Sequence, residues 1–140
     1  MNLYLESSAA LRDLLEGDSA AEIRAALRGA AMVVTSRLTL AEVARVLARL
    51  RVLEPEVAAR VAERETAFLS ETDLWTVQPL DEDVLVRCGR PFPIEPVRAL
   101  DAIHLATIEK VSGAVREITV LSTDDRIRKN AVKLGFAVIP

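Results

Sequence analysis

The sequence of 140 residues is long enough for one compact domain and too short for two independent hydrophobic cores. Hydrophobic residues make up 51% and charged residues 28%, a globular composition that excludes a disordered chain. The net charge of −3 argues against a broad nucleic-acid-binding surface, although 15 of the 18 basic residues are arginines, which suit local phosphate contacts. We therefore expect a single domain over residues 1–140.

Five short apolar runs predict strands, at residues 2–5, 32–35, 75–77, 118–121 and 137–139. Helices are predicted over residues 6–16, 18–28, 36–51, 54–71, 81–87, 97–111 and 124–134. The pattern Ser19-x-x-Glu22 predicts a capping box at the second helix, and Pro55 suits the first position of the fourth. Strands that alternate with helices indicate an α/β fold, and we predict a doubly wound five-stranded parallel sheet with helices on both faces.

The single cysteine, Cys88, and the single histidine, His104, limit the chemistry that is open to the chain. One cysteine excludes an internal disulfide and suits a reducing compartment, and the pair cannot supply three Cys/His ligands to zinc. No apolar run approaches the roughly 18 residues of a membrane span, and the N-terminus lacks a secretory signal pattern. We expect a cytoplasmic protein without membrane contact, in which any metal would rest mainly on carboxylates.

The segment VRALDAIHLATIEKV, residues 97–111, carries an unusual feature. Most of its apolar residues fall on one side of a helix, and Asp101 and His104 fall inside that apolar stripe. A carboxylate there is costly to bury unless its charge is compensated. Asp101 is therefore predicted to be paired with a base, protonated or bound to a cation.

Carboxylates from four separate segments are predicted to meet at one edge of the sheet. Glu6 follows the first strand, Asp124 follows the fourth, and Glu42 and Asp101 lie early in their helices, with Asp125 as a further candidate. Because the carboxyl ends of parallel strands share one edge, ligands bind there in such folds. Carboxylates about 4 Å apart repel by about 4 kcal/mol at an effective dielectric of ~20, so the cluster would raise its own pKa values or recruit a divalent cation.

Oxygen ligands of this kind fit Mg²⁺ or Mn²⁺, and one or two such ions can activate a water and steady the leaving oxygen in phosphodiester hydrolysis. Each acid also has a simpler explanation. Glu42 completes a Thr39-x-x-Glu42 capping box, and Glu6 and Asp124 suit the positive ends of helices. Asp101 could pair with Arg98 or another base. His104 fits a buried histidine with its hydrogen bonds satisfied.

Four segments of the chain resemble the PIN-domain family, particularly the VapC-type toxins of bacterial toxin–antitoxin pairs. They are LYLESSAAL, TSRLTLAEVARVLAR, RALDAIHLAT and VLSTDDRIRKNAVKLGFAVI, in the family's order and at its spacing. The resemblance implies that Glu42, Asp101 and Asp124 match acidic metal-site positions. It also implies that Ser8 and Ser122 match polar positions that support the acids.

The resemblance implies a Mg²⁺- or Mn²⁺-dependent endoribonuclease, with Asp101, Glu42 and Asp124 holding the metal and Glu6 as a direct or water-mediated ligand. It further implies an RNA substrate, a small antitoxin that covers the acidic rim, and self-association into a homodimer or a larger oligomer. The first two helices are a candidate antitoxin surface, although amphipathic helices also serve as ordinary core.

Glu6 departs from the family pattern, which usually has Asp at this position. The extra methylene adds roughly 1.5 Å of reach. A PIN-fold binding module with weakened or lost nuclease activity therefore stays open as an alternative. A phosphoacceptor signalling domain also gathers acids at this edge, but it would need an acidic pair after the first strand and a lysine after the last. The chain has Glu6-Ser7-Ser8 at the first of these places and ends at Pro140, which disfavours that class.

Overall fold

A computed structural model describes all residues from 1 to 140. Five strands form one sheet: β1 (Asn2–Leu5), β2 (Met32–Ser36), β3 (Thr76–Gln78), β4 (Ile118–Leu121) and β5 (Ala137–Ile139). The strand order is β3-β2-β1-β4-β5, and every neighbouring pair is parallel. The strand order reverses between β1 and β4, so the switch point of the sheet lies at their carboxyl ends.

Seven α-helices connect the strands: α1 (Ser7–Leu15), α2 (Ala21–Gly29), α3 (Arg37–Leu53), α4 (Pro55–Thr72), α5 (Glu82–Cys88), α6 (Ala99–Ser112) and α7 (Asp125–Lys133). A short 3₁₀ helix, Gly17–Ala20, precedes α2. Pro55 is the first residue of α4, as predicted, because a helix start does not need the backbone N–H that proline lacks. No helix is both long and apolar enough to cross a membrane.

Two hydrophobic clusters cover the two faces of the sheet. Leu3 and Leu5 of β1 join residues of α1 to α4 in one cluster, whereas Tyr4 joins residues of α5, α6 and α7 in the other. Because side chains alternate along a strand, the central strand β1 is buried on both faces. The predicted doubly wound five-stranded parallel sheet with helices on both faces is confirmed.

Two predicted helix starts differ from the structure by more than one residue. The Ser19-x-x-Glu22 capping box is wrong, because Ser19 lies inside the 3₁₀ helix and α2 begins after Ala20 without a side-chain cap. The helix that was predicted to begin at Val97 begins at Ala99. Glu95 explains the second difference, since its Oε2 accepts a hydrogen bond from the Val97 backbone N at 2.6 Å and holds that residue in the preceding loop.

Candidate functional site

Glu6 lies at the switch point of the sheet, directly after β1, and its side chain caps α1. The residue is 4% exposed. Its Oε2 accepts hydrogen bonds from the backbone N and the hydroxyl of Ser8 and from the hydroxyl of Ser122 at 2.7 Å. Its Oε1 makes no hydrogen bond and lies 3.7 Å from His104 Nε2. One oxygen of Glu6 is thus fixed by the protein, and the other has no hydrogen-bond partner.

Ser8 and Ser122 connect Glu6 to the start of α7. The Ser8 hydroxyl accepts hydrogen bonds from the backbone N of Thr123 at 2.9 Å and of Asp124 at 3.1 Å. The Ser122 hydroxyl also accepts from the Asp124 backbone N, at 3.2 Å. Both serines, which the sequence predicted as supporting residues, therefore contact Glu6 and the backbone that carries Asp124.

Glu42 lies in the second turn of α3 and is held by two hydrogen bonds. Its Oε2 accepts from the Ser7 hydroxyl and, at 2.8 Å, contacts His104 Nε2. Burial raises the pKa of Glu42, but the hydrogen bonds from His104 and Ser7 outweigh this effect and lower it below its ordinary value. Glu42 therefore stays ionised.

The capping-box explanation of Glu42 is wrong. Ser36 caps α3 by accepting a hydrogen bond from the Leu38 backbone N at 3.1 Å. Thr39 lies inside the helix, where its buried hydroxyl is 3.5 Å from the Ser7 hydroxyl. The side chain of Glu42 contacts other helices and not the N-terminus of its own.

Asp101, in the first turn of α6, has a carboxyl group that the protein does not satisfy. Its side chain is 19% exposed, and its buried Oδ2 has no hydrogen-bond partner. The nearest cation is the guanidinium of Arg126 at 3.9 Å, and not that of Arg98. Burial raises the pKa of Asp101, the negative charges of Asp124 and Glu6 raise it further, and Arg126 offsets only part of the increase.

Asp124 caps α7, as its simpler explanation predicted. Its Oδ1 accepts from the backbone N of Arg126 at 2.8 Å and of Ile127 at 3.4 Å, and its Oδ2 makes no hydrogen bond. The capping role does not remove it from the site, because its charge acts on Asp101. Asp125 is exposed and does not contribute to the pKa of Asp101.

His104 is buried with its hydrogen bonds satisfied, as expected, but one of its partners is a predicted site acid. Its ring nitrogens contact the Tyr4 hydroxyl at 3.0 Å, the Ser7 hydroxyl at 2.8 Å and Glu42 at 2.8 Å. The sequence analysis did not assign Tyr4 or Ser7 to the site. The sequence did contain a feature that could have placed His104 at the site. It lies three residues after Asp101, so the two side chains share one face of α6.

The free oxygens of this edge fit a divalent cation that keeps part of its water shell. No three Asp, Glu, His or Cys side chains form a ready-made ligand cluster. The carboxylate oxygens at this edge that accept no hydrogen bond from the protein nevertheless include Glu6 Oε1, Asp101 Oδ2 and Asp124 Oδ2. Mg²⁺ binds through one or two carboxylates and several waters, so an incomplete oxygen set suits it.

The profile of the PIN domain matches residues 3–133. The chain therefore belongs to the PIN-domain family. Among its curated relatives is Ribonuclease VapC46 of Mycobacterium tuberculosis (strain ATCC 25618 / H37Rv), which is 36% identical over 137 residues that cover 98% of this chain and 95% of the relative. Ribonuclease VapC35 of the same species is 32% identical over 145 residues with the same coverage of both chains. The predicted resemblance to VapC-type PIN proteins is confirmed.

Solved structures share the fold at lower sequence identity. FitAcB from Neisseria gonorrhoeae has a TM-score of 0.68 and 21% identity, and the match covers 99% of this chain and 96% of that one. VapBC2 from Rickettsia felis, bound to a DNA fragment from its promoter, has a TM-score of 0.66 and 9% identity, with 99% and 98% covered. At these identities the two structures support the fold alone.

Proposed function

We propose that this chain is a Mg²⁺- or Mn²⁺-dependent endoribonuclease and the toxin of a toxin–antitoxin pair. The observation that carries the proposal is the buried Oδ2 of Asp101, which lacks a hydrogen-bond donor and faces the charges of Asp124 and Glu6. A divalent cation would neutralise this pocket, which the nearby Arg126 does only in part. The relatives named as ribonucleases support RNA as the substrate.

In this proposal Asp101, Glu42 and Asp124 hold the metal, and Glu6 reaches it directly or through a water with Oε1. A bound Mg²⁺ or Mn²⁺ supplies a Lewis acid and a water of lowered pKa for attack on the phosphodiester. Glu42 stays ionised, because its hydrogen bonds from Ser7 and His104 favour the charged form. Glu42 is therefore better suited to bind a metal or to act as a fixed negative charge than to carry a proton as a general acid.

Three exposed arginines at helix starts are the proposed contacts for the RNA backbone. Arg98 is the N-cap of α6, Arg37 is the first residue of α3, and Arg126 is the second residue of α7. A cation at a helix N-terminus opposes the helix dipole, which costs roughly 0.3–1 kcal/mol. Only Arg126 has a carboxylate nearby, that of Asp101, so Arg37 and Arg98 are free to bind phosphate.

The proposed partner is an antitoxin that covers the acidic edge and contacts α1 and α2. One of the structural neighbours, from Rickettsia felis, is a VapBC2 structure, which supports a partner of this type. Self-association into a homodimer or larger oligomer, and a cytoplasmic location, remain predictions from the resemblance and from the single cysteine.

A catalytically silent PIN-fold binding module is the second candidate. The observation in its favour is that Glu6 Oε2 is already occupied by donors from Ser8 and Ser122. The variant Glu6→Asp separates the two functions. Cleavage that appears only in this variant would favour the silent module in the natural chain.

Cleavage of single-stranded RNA in the presence of Mn²⁺ tests the nuclease proposal. We expect Asp101→Asn to lower the rate at least about 100-fold, because the carboxyl that the metal would satisfy is gone. Asp73→Asn is the matched control, since Asp73 is exposed at the end of α4 and precedes β3, at the opposite edge of the sheet. Equal rates for the wild type and Asp101→Asn would refute the site.

A further inference from the structure

Tyr4 is a completely buried tyrosine whose hydroxyl points at the only histidine of the chain. It lies on β1, and its hydroxyl is 3.0 Å from His104 Nδ1. A tyrosine hydroxyl carries one hydrogen that it can donate, and Nδ1 is the histidine atom in reach.

The other ring nitrogen of His104 contacts a group that can only accept. Nε2 is 2.8 Å from Oε2 of the ionised Glu42 and 2.8 Å from the Ser7 hydroxyl. Ser7 uses its own hydrogen for Glu42 Oε2. A bare Nε2 would bring two lone pairs together at 2.8 Å, so Nε2 must carry the hydrogen and donate. In this tautomer Nδ1 accepts the hydrogen bond from Tyr4.

We infer that Tyr4 is a positioning residue, whose hydrogen bond to Nδ1 orients the His104 ring so that Nε2 donates to Glu42 and holds this carboxylate beside the acids of α6. His104 follows Asp101 by three residues, so the hydrogen bond ties the acid of α3 to the helix that carries Asp101. The role of Glu42 as a metal ligand rests on the proposed function, but the hydrogen-bond arrangement does not.

Because the chain has one histidine, nitrogen NMR gives a single pair of ring signals that report the tautomer directly. At about pH 8 we expect a protonated Nε2 and an unprotonated Nδ1 in the metal-free wild type, as the contacts of the two nitrogens indicate. In Tyr4→Phe the Nδ1 atom loses its donor, so its signal should shift towards that of a nitrogen without a hydrogen bond, while Nε2 keeps its hydrogen. The substitution conserves volume, and thermal unfolding checks that the variant folds.

Thr35→Val is the matched control for the loss of a buried hydroxyl. The Thr35 hydroxyl is buried and donates to the Leu5 carbonyl at 2.7 Å, without a hydrogen bond to His104 or Glu42. We expect this variant to keep the wild-type histidine signals. A protonated Nδ1 in the wild type, or signals in Tyr4→Phe that match the wild type, would overturn the inference.

Mn²⁺ affinity then measures what the positioning contributes. We expect Tyr4→Phe to bind Mn²⁺ about 10–100-fold more weakly, as for other residues that orient metal ligands, whereas Thr35→Val keeps the wild-type affinity. His104→Gln, which retains an N–H donor, should bind more tightly than His104→Leu. Equal affinity of the two His104 variants would contradict the positioning role. A wild type that neither binds Mn²⁺ nor cleaves RNA would refute the proposed function, and the histidine signals would still decide the tautomer.

Discussion

Among the candidate site residues, Asp101 is the one whose carboxyl group is least stabilised by the surrounding protein. Its buried Oδ2 lacks a donor, and two other carboxylates raise its pKa. In the metal-free protein we expect Asp101→Asn to increase the free energy of unfolding by up to about 1 kcal/mol, or roughly 3 °C in Tm, because a buried charge disappears. Thermal unfolding without metal measures this, and a destabilised variant would show that an unseen partner satisfies the carboxyl.

The raised pKa of Asp101 also makes the free energy of unfolding depend on pH, in a direction that can be predicted. Because the folded state raises the pKa of Asp101, it binds more protons than the unfolded state between the ordinary and the raised pKa. The contribution of Asp101 to stability is therefore lost as the pH rises through this window and is constant above it. The stability advantage of Asp101→Asn should grow with pH across the window, as urea unfolding at several pH values would show.

The sequence predicts which acids reach this edge better than it predicts what holds them. Glu6 follows β1 directly and Asp124 follows β4 after two residues, so topology alone places them there. The partners of Glu42 come from α1 and α6, which are 35 and 62 residues away along the chain. Such contacts depend on how the helices pack, and a local pattern such as Thr39-x-x-Glu42 gave the wrong partner for this reason.

At the scale of elements, the buried carboxylate of Asp13 joins three helices. Its Oδ1 accepts from Arg24 of α2 and its Oδ2 from Arg64 of α4, each through Nε at 3.0 Å. Arg64 also pairs with Glu71, and the hydrogen bonds with these carboxylates raise the pKa of its guanidinium. The sequence pattern of α1 does not reveal this cluster, because its members are far apart along the chain.

We expect Asp13→Asn to destabilise the protein by about 3 kcal/mol, since two guanidinium groups lose a buried partner. Glu16→Gln is the control, because the Arg12–Glu16 pair is exposed and such pairs contribute less than about 1 kcal/mol. Chemical denaturation of both variants compares them. A loss in Asp13→Asn no larger than in Glu16→Gln would show that the cluster does not stabilise the helices.

Most element boundaries followed from apolar periodicity and from glycine and proline, and the failures have local causes. The 3₁₀ helix at Gly17–Ala20 begins with Gly17 at a φ of 54°, a left-handed conformation that glycine adopts without strain. This turn places Ser19 before the true start of α2. Helix α6 begins two residues later than predicted, because the Glu95 side chain accepts a hydrogen bond within the preceding loop.

At the scale of the molecule, the two hydrophobic clusters share the central strand β1. Leu3 and Leu5 belong to one cluster and Tyr4 to the other. We therefore propose that residues 1–140 unfold as one unit, so calorimetric and van't Hoff enthalpies of unfolding should agree for the metal-free protein. Two separable transitions would show that the faces of the sheet fold independently.

Binding of Mn²⁺ to the wild type and to Asp101→Asn, measured by isothermal titration calorimetry, tests the central claim most directly. The account predicts saturable binding to the wild type that is lost in the variant, with Asp73→Asn binding like the wild type. Indistinguishable titrations of the wild type and Asp101→Asn would contradict a metal site built on this carboxylate.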